Sequence, residues 1–348
     1  MRHFDYSFLE NGLLPAKLIN LTSDIYALRT ATGVRKEDYA EVFTELEAVA
    51  KIQSVKSSNA IEGIVTSDQR IADIVNRSSA PLNHNEAEIA GYRDALNIIH
   101  TGYMNLDFCQ RDILDLHNML MSVAGYEHGG KYKTDNNVIL EVDTNGNRRV
   151  RFRPIPAAET PAAMEQLEFA YMDAKTNANI NQLLLIPCVI LDFLCIHPFR
   201  DGNGRMSRLL SLLLLYKNGF DAGKYISFEE QINNYKVYYY EALQKSSADW
   251  DVNENDYFPF IQNFLSMLYM CYKELDKRFA VLHSKKITKK GRIEATILGS
   301  LTPMSKSEIC GIHPDISPTT VESVLGKMVK EKRIIRLGSG RSTRYIRN

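Results

Sequence analysis

HPFRDGNGRMSRLL, residues 197–210, places an imidazole, a carboxylate, two glycines and three arginines around one short loop. Glycines on either side of Asn203 permit the positive-φ backbone that turns successive N–H groups toward one point, a nest for an anion. The residues after it, RMSRLLSLLLLYKNG, read as an apolar helix closed by Gly219. The nest is therefore expected at a helix N-terminus, where free N–H groups and the positive dipole end favour negative charge. Arg205 and Arg208 are three apart, which predicts one face of the first turns, and basic residues there oppose the dipole unless an anion compensates. The pattern calls for a polyphosphate.

Upstream, LLLIPCVILDFLCI (183–196) is strongly apolar and delivers His197, through Pro198-Phe199, within a few residues of the nest. An imidazole so anchored can serve as general base. Asp201 is a hard oxygen ligand at the mouth of the loop. It suits Mg²⁺, which keeps most of its waters and is commonly held by one or two carboxylates plus substrate phosphates.

This arrangement resembles the Fic family, whose signature HxFx(D/E)GNGRxxR is matched at every specified position from His197 to Arg208. The resemblance implies a mostly helical domain that transfers AMP from ATP to a Tyr, Thr or Ser hydroxyl of a target protein, or of the chain itself, releasing pyrophosphate. By position it implies His197 as the base and Asp201 as the Mg²⁺ ligand. It also implies an ATP site made of Gly202, Asn203, Gly204, Arg205, Met206, Ser207 and Arg208. Chemistry of this kind depends on positioning and charge stabilisation more than on covalent catalysis.

Ser58-Asn59-Ala60-Ile61-Glu62-Gly63 fits the (S/T)xxxE(G/N) pattern that marks an inhibitory helix in Fic proteins. The residues make sense unaided: Lys36 to Ala60 is rich in helix formers, Val42, Leu46, Val49 and Ile52 recur at helical spacing, and Gly63 is a C-terminal stop. Glu62 then sits at the end of a helix that disfavours a carboxylate unless a cation answers it. The resemblance supplies Arg208 as that cation, diverted by Glu62 and Ser58 from the γ-phosphate of ATP. Between the two motifs, VILEV, Asn145-Gly146 and VRF read as a β-hairpin. In the family such a flap aligns the target by strand addition. Tyr132-Lys133 stands where relatives commonly carry an aromatic followed by arginine. The tyrosine-rich segment 226–243 lies, by resemblance, beside the adenine, with Tyr239 or Tyr240 touching base or ribose.

Of the 348 residues, 45% are hydrophobic, enough for a large core and two or three domains. The longest apolar run, 183–196, contains Pro187 and Asp192 and is too short to span a bilayer; MRHFDYSFLENG has no signal-peptide pattern, and five scattered cysteines read as reduced thiols. A cytoplasmic protein without membrane contact is expected. Zero net charge hides an asymmetry: residues 285–348 hold fourteen Lys/Arg against five Asp/Glu, net +9, leaving −9 for residues 1–284. In this basic tail, RIEATILGSL, SKSEICGI and TTVESVLGKMVKEKR read as helices, and RIIRL and STRYIR as a hairpin split by Gly338-Ser339-Gly340. That order is that of a winged helix-turn-helix. Thr319, Thr320, Ser323 and Lys327 would face a DNA groove and Arg341 and Arg344 phosphates, unless the module docks a protein or forms a homodimer.

The expected fold class is all-α: a Fic-type helical core with a small β-hairpin flap, plus a C-terminal winged helix-turn-helix. The expected division is an N-terminal helical region (1–94, inhibitory helix about 45–63), a core (95–270), a linker (271–290) and the winged helix (291–348). Protein adenylyltransferase is the expected activity. The alternatives are a DNA-binding regulator with a nucleotide-sensing Fic unit, or an enzyme of similar layout that removes AMP.

Overall fold

The structure is a computed structural model that describes residues 2–142, 148–283, 289–300, 302–340 and 343–348. It forms two compact units, Met1–Lys273 and Glu274–Asn348. As the all-α expectation requires, helices dominate and strands are few. The first unit contains α1 (Phe8–Asn11), α2 (Ala16–Asp38), α3 (Ala40–Ile61), α4 (Asp68–Arg77), α5 (His84–Gly102), α6 (Gln110–Ser122), β1 (Ile139–Val142), β2 (Arg148–Phe152), α7 (Thr160–Thr176), α8 (Gln182–Ile196), α9 (Asn203–Lys217), α10 (Phe228–Asn234) and α11 (Lys236–Ser247). Helix α12 (Phe258–His283) begins in it. Residues 1–94 and 95–270 thus share one unit.

Helix α8 is the axis of the core. The Asn181 side chain caps it by accepting from Leu183 N, and every residue from Leu183 to Ile196 is buried. An all-round apolar helix has to be enclosed by others, and α7 and α9 pack on it. Asp192, the lone carboxylate in that run, is fully buried. It accepts hydrogen bonds from Tyr6 (2.7 Å), Trp250 Nε1 (2.6 Å) and Tyr257 (2.9 Å), with the Arg2 guanidinium 3.6 Å away. A buried carboxylate needs such partners, and they tie the first residues of the chain to α8. The N-terminal segment carries no readable motif because its role depends on a residue nearly two hundred positions away.

Helices α5 and α6 meet backbone to backbone at Gly91, where an added Cβ would come within 2.1 Å of the Leu120 carbonyl oxygen. Gly91→Ala is expected to destabilise the first unit by about 1–3 kcal/mol, the usual cost of overpacking, read as a lower urea midpoint at unchanged m-value.

Two boundaries differ from the sequence reading. The run of helix formers from Lys36 is broken at Tyr39 (φ −133°, ψ 40°), so Lys36 lies in the last turn of α2 and α3 starts at Ala40. Good helix formers on both sides of a break leave no trace of it. The linker expected at 271–290 is helical as far as His283, since Phe264, Leu268, Tyr272, Leu275 and Phe279, all buried, continue one apolar face of α12; residues 284–288 lie outside those described. The hairpin pairs Ile139 with Phe152 and Val142 with Arg148, with a register shift after Ile139. Its expected Asn145-Gly146 turn lies outside the described residues.

The second unit contains α13 (Lys289–Gly299), β3 (Met304–Ser305), α14 (Lys306–Ile312), α15 (Pro318–Lys330), β4 (Ile334–Leu337) and β5 (Arg344–Arg347). The strands form an antiparallel sheet in the order β3-β5-β4. Ile293, Ile297, Ile309, Val321, Leu325 and Met328 form its core. Ser305 and Glu308 cap α14 reciprocally.

Candidate active site

The loop between α8 and α9 is held from several directions. His197 ends α8 in the left-handed region (φ 51°), and Gly202 precedes α9 at φ 80°. The Asn203 amide donates to the Phe199 carbonyl (2.8 Å) and accepts from Phe199 N (2.9 Å). Asn203 therefore closes the loop with its side chain; any contribution to an anion comes from its backbone. The Phe199 ring is buried and stacks on His117, with centroids 3.6 Å apart and planes at 8°.

His117, on α6, is a site residue that the sequence reading missed. Its Nδ1 accepts from Gly130 N (3.0 Å), so Nε2 carries the proton and donates to the Asp201 carbonyl (3.1 Å). Burial brings its pKa down to about 4, which keeps this tautomer neutral. A histidine eighty-four residues from the loop gives no sequence signal of this contact.

His197 has the geometry a base requires. Its Nδ1 lies 3.3 Å from the Leu194 carbonyl, which fixes the proton there and leaves the Nε2 lone pair without a partner among the described residues. Burial, then the Lys133 charge, lowers its pKa to about 4 against the pull of Glu62 and Asp201. Lys133 is itself buried, donating to the Ile196 carbonyl (3.1 Å) and Asn137 Oδ1 (2.9 Å), while its backbone N–H binds the Pro198 carbonyl (2.9 Å). Burial lowers its ammonium to about 8. A cation suits this spot, the negative end of the α8 dipole, and the departure from the family's aromatic-arginine pair thus acts on the histidine turn.

The two arginines diverge, contrary to the shared face expected from their spacing. Arg205 turns to α5 and pairs with buried Glu88 (2.6 Å), with Asp201 Oδ2 3.5 Å away. Arg208 turns to α3: Nε donates to Ser58 Oγ (2.8 Å), and Nη2 donates to the Ser58 carbonyl (2.9 Å) and Glu62 Oε1 (2.8 Å). Positions three apart on a helix point about 60° apart, and in a buried helix each finds its own neighbour. Met206 is wholly buried in the core between them, and Ser207 turns back to the Gly204 carbonyl (2.8 Å).

Glu62 follows the last residue of α3, with Gly63 behind it at φ 81°. Its carboxylate overlies the start of α9: a Cβ built on Gly204 would lie 2.3 Å from Glu62 Oε1. The anion on the helix N-terminus is thus one of the chain's own side chains. Lys236, on α11, answers the C-terminal end of α3 by donating to the Ile61 carbonyl (2.7 Å), and its ammonium lies 5.8 Å from the Tyr240 ring. Arg151 on β2 donates to the Tyr240 carbonyl (2.8 Å). Tyr239 is buried. Both tyrosines named from sequence are thus brought to Arg208 and Glu62, whose charges act on each of them.

Among the described residues, no cluster of three or more acidic, histidine or cysteine side chains could hold a metal. Asp201 is a lone carboxylate, 55% exposed, with Oδ1 accepting from Gly202 N (2.6 Å). Such a donor set fits a cation that arrives with phosphate oxygens and water, and does not fit one caged by protein alone.

Together these groups put a neutral imidazole beside a helix N-terminus overlaid by a carboxylate that is paired with a buried arginine. Residues 107–215 match the Fic/DOC family model. That stretch is the part of the chain that is similar to a Fic domain. Two relatives, each named Protein adenylyltransferase Fic, are from Nematostella vectensis (27% identical, covering 61% of this chain and 46% of the relative) and Culex quinquefasciatus (26% identical, covering 62% and 40%). The chain spans less than half the length of these relatives. The fold is similar to a Fic family protein from Desulfovibrio desulfuricans G20 (TM-score 0.63, 20% identity, 97% of each chain) and to a Fic domain containing signaling protein from Bacteroides thetaiotaomicron (TM-score 0.58, 20% identity, 74% of this chain and 95% of that one). No described helix is long and apolar enough to cross a membrane.

Proposed function

We propose that this chain is a protein adenylyltransferase held in check by Glu62. It moves AMP from ATP to a Tyr, Thr or Ser hydroxyl of a target protein or of the chain itself. The observation that carries the reading is the Glu62 carboxylate over Gly204 at the α9 N-terminus, paired with Arg208, beside a neutral His197. An internal anion marks where an external one belongs. In the transfer, the acceptor oxygen forms a bond to the α-phosphorus, its proton passes to His197 Nε2, and the bond from the α-phosphorus to the bridging oxygen breaks to release pyrophosphate. The backbone N–H groups of Asn203 and Gly204 face the phosphates and offset the charge that builds on them, the Gly202 N–H being held by Asp201 Oδ1. Mg²⁺, bound through Asp201, would neutralise charge between the α- and β-phosphates. With Glu62 in place, Arg208 is withheld from the γ-phosphate and ATP lies in an unproductive pose.

ATP labelled at the α-phosphate should mark the acceptor protein, and ATP labelled at the γ-phosphate should not. Retention of the γ-label would mean phosphorylation and would exclude this function. The lowered His197 pKa sets the pH dependence. A protonated imidazole takes no proton, and the neutral form persists down to about pH 4. Transfer by the Glu62→Gly variant is expected to keep most of its rate at pH 5; an acid limb centred near the ordinary histidine value of 6.5 would contradict the burial argument.

A second reading rests on the second unit as a winged helix that binds DNA, with the Fic unit as a nucleotide sensor. Thr319, Ser323 and Lys327 on α15 are exposed, and the Ser317 hydroxyl caps the helix. Arg344, expected to meet phosphate, is instead engaged by the Pro303 carbonyl (2.8 Å) and Glu308 (3.4 Å); it secures β5 beside β3 and the α14 cap. Arg341 lies outside the described residues. A salt-sensitive shift of duplex DNA by the full chain is the expected sign of this reading.

A further inference from the structure

We infer that Glu229 is a positioning residue for Arg208, holding the guanidinium in the site through a relay of buried hydroxyls. The inference rests on the proposed function and names a second carboxylate that acts on the same arginine from the interior. Glu229, on α10, has no exposed surface. Its carboxylate accepts from Tyr92 (2.9 Å), Ser54 (2.7 Å) and Ser227 (3.2 Å), and makes no ion pair among the described residues. Buried charges persist where they are hydrogen-bonded and answered by an opposite charge.

The answering charge is two hydroxyls away. Arg208 Nε donates to Ser58 Oγ (2.8 Å) at one end and Tyr92 donates to Glu229 Oε1 (2.9 Å) at the other, with buried Ser58 on α3 and buried Tyr92 on α5, two helices that pack on each other. At both ends the donor points from the cation toward the anion, so closure of the relay between Ser58 and Tyr92 would let successive hydrogen bonds polarise one another. Both charges act on the middle hydroxyl: burial raises the Tyr92 pKa most, Glu229 raises it further, and Arg208 opposes that rise.

The two carboxylates differ in what they hold. Glu62 takes Nη2 from a side chain one third exposed, beyond the end of α3. The relay takes Nε from within, and Ser54 on the same helix bonds Glu229 directly. When Glu62 is displaced, Nε stays fixed and the terminal nitrogens are presented to the γ-phosphate. Relief of inhibition then needs movement only of the chain past Ile61, with α3 still seated on α10.

The test uses the full chain carrying Glu62→Gly, into which Glu229→Gln, Tyr92→Phe, Ser54→Ala and Arg208→Ala are each placed. ATP and ADP affinities are measured by calorimetry, and kcat and KM for ATP by label transfer. Glu229→Gln and Tyr92→Phe should each weaken ATP by about tenfold and ADP by less than about twofold, because one charge-assisted contact to the γ-phosphate is degraded. Ser54→Ala, which touches Glu229 outside the relay, should leave the ATP to ADP ratio unchanged. Equal weakening of both nucleotides by the first two variants, or none, would overturn the positioning role. If Arg208→Ala itself leaves the ratio unchanged, the γ-phosphate role of Arg208 fails and the inference falls with it.

Discussion

Replacing His197 by alanine is expected to lower AMP transfer by roughly 10²–10⁴-fold, the range over which positioned general bases act, with ATP affinity nearly unchanged. Among the described residues nothing hydrogen-bonds the imidazole Nε2, since Nδ1 is the nitrogen committed to Leu194 and burial keeps the ring neutral. Its side chain is absent from the nest, whose N–H groups belong to Asn203 and its successors. Label incorporation and calorimetry on the same preparation separate the two effects. Undiminished transfer by His197→Ala would remove the histidine from the chemistry; lost ATP binding would make it a structural residue of the loop.

Glu62→Gly should act in the opposite direction, raising transfer by about ten- to a hundredfold. That is the scale of the roughly 1.5–3 kcal/mol carried by a hydrogen bond to a charged group. Two changes coincide in this variant: Arg208 Nη2 loses its carboxylate partner, and the start of α9 loses the anion lying over Gly204. Glycine also suits the position, which already adjoins Gly63 in the left-handed region. Equal rates for wild type and variant would show that Glu62 is a surface glutamate that happens to meet an arginine. If the variant instead loses an ability to strip AMP from a modified protein, Glu62 is orienting a water, and removal of AMP is the physiological direction.

The parts of the site that could be read from sequence are those whose cause is local. Gly202, Asn203 and Gly204 define their own turn and helix start, Gly219 closes α9, and Glu62 stands at a helix end that disfavours it, so each can be found within a few residues. What could not be read is held across the fold. Glu88 sits in HNEAEIAGY with nothing nearby to mark it as the partner of Arg205, and the supposed common face of the two arginines dissolves once α5 offers Glu88 to Arg205 and the end of α3 offers Ser58 and Glu62 to Arg208. His117 and Lys133 acquire meaning only when α6 and the segment before the hairpin are folded against the 197–202 loop. Asp192 reads as an interruption in an apolar run; its four polar partners come from both ends of the first unit. The break at Tyr39 and the reach of α12 to His283 are matters of packing that helix propensity does not record.

The most direct measurement is intact-mass analysis of wild type, Glu62→Gly, and Glu62→Gly with His197→Ala, each incubated with ATP and Mg²⁺ alone and with a protein extract as acceptor. The account predicts a gain of AMP, on the chain or on an acceptor, in the Glu62→Gly sample, little in wild type and none in the double variant. An AMP adduct that persists when His197 is replaced, or the absence of any adduct in all three samples, would contradict it.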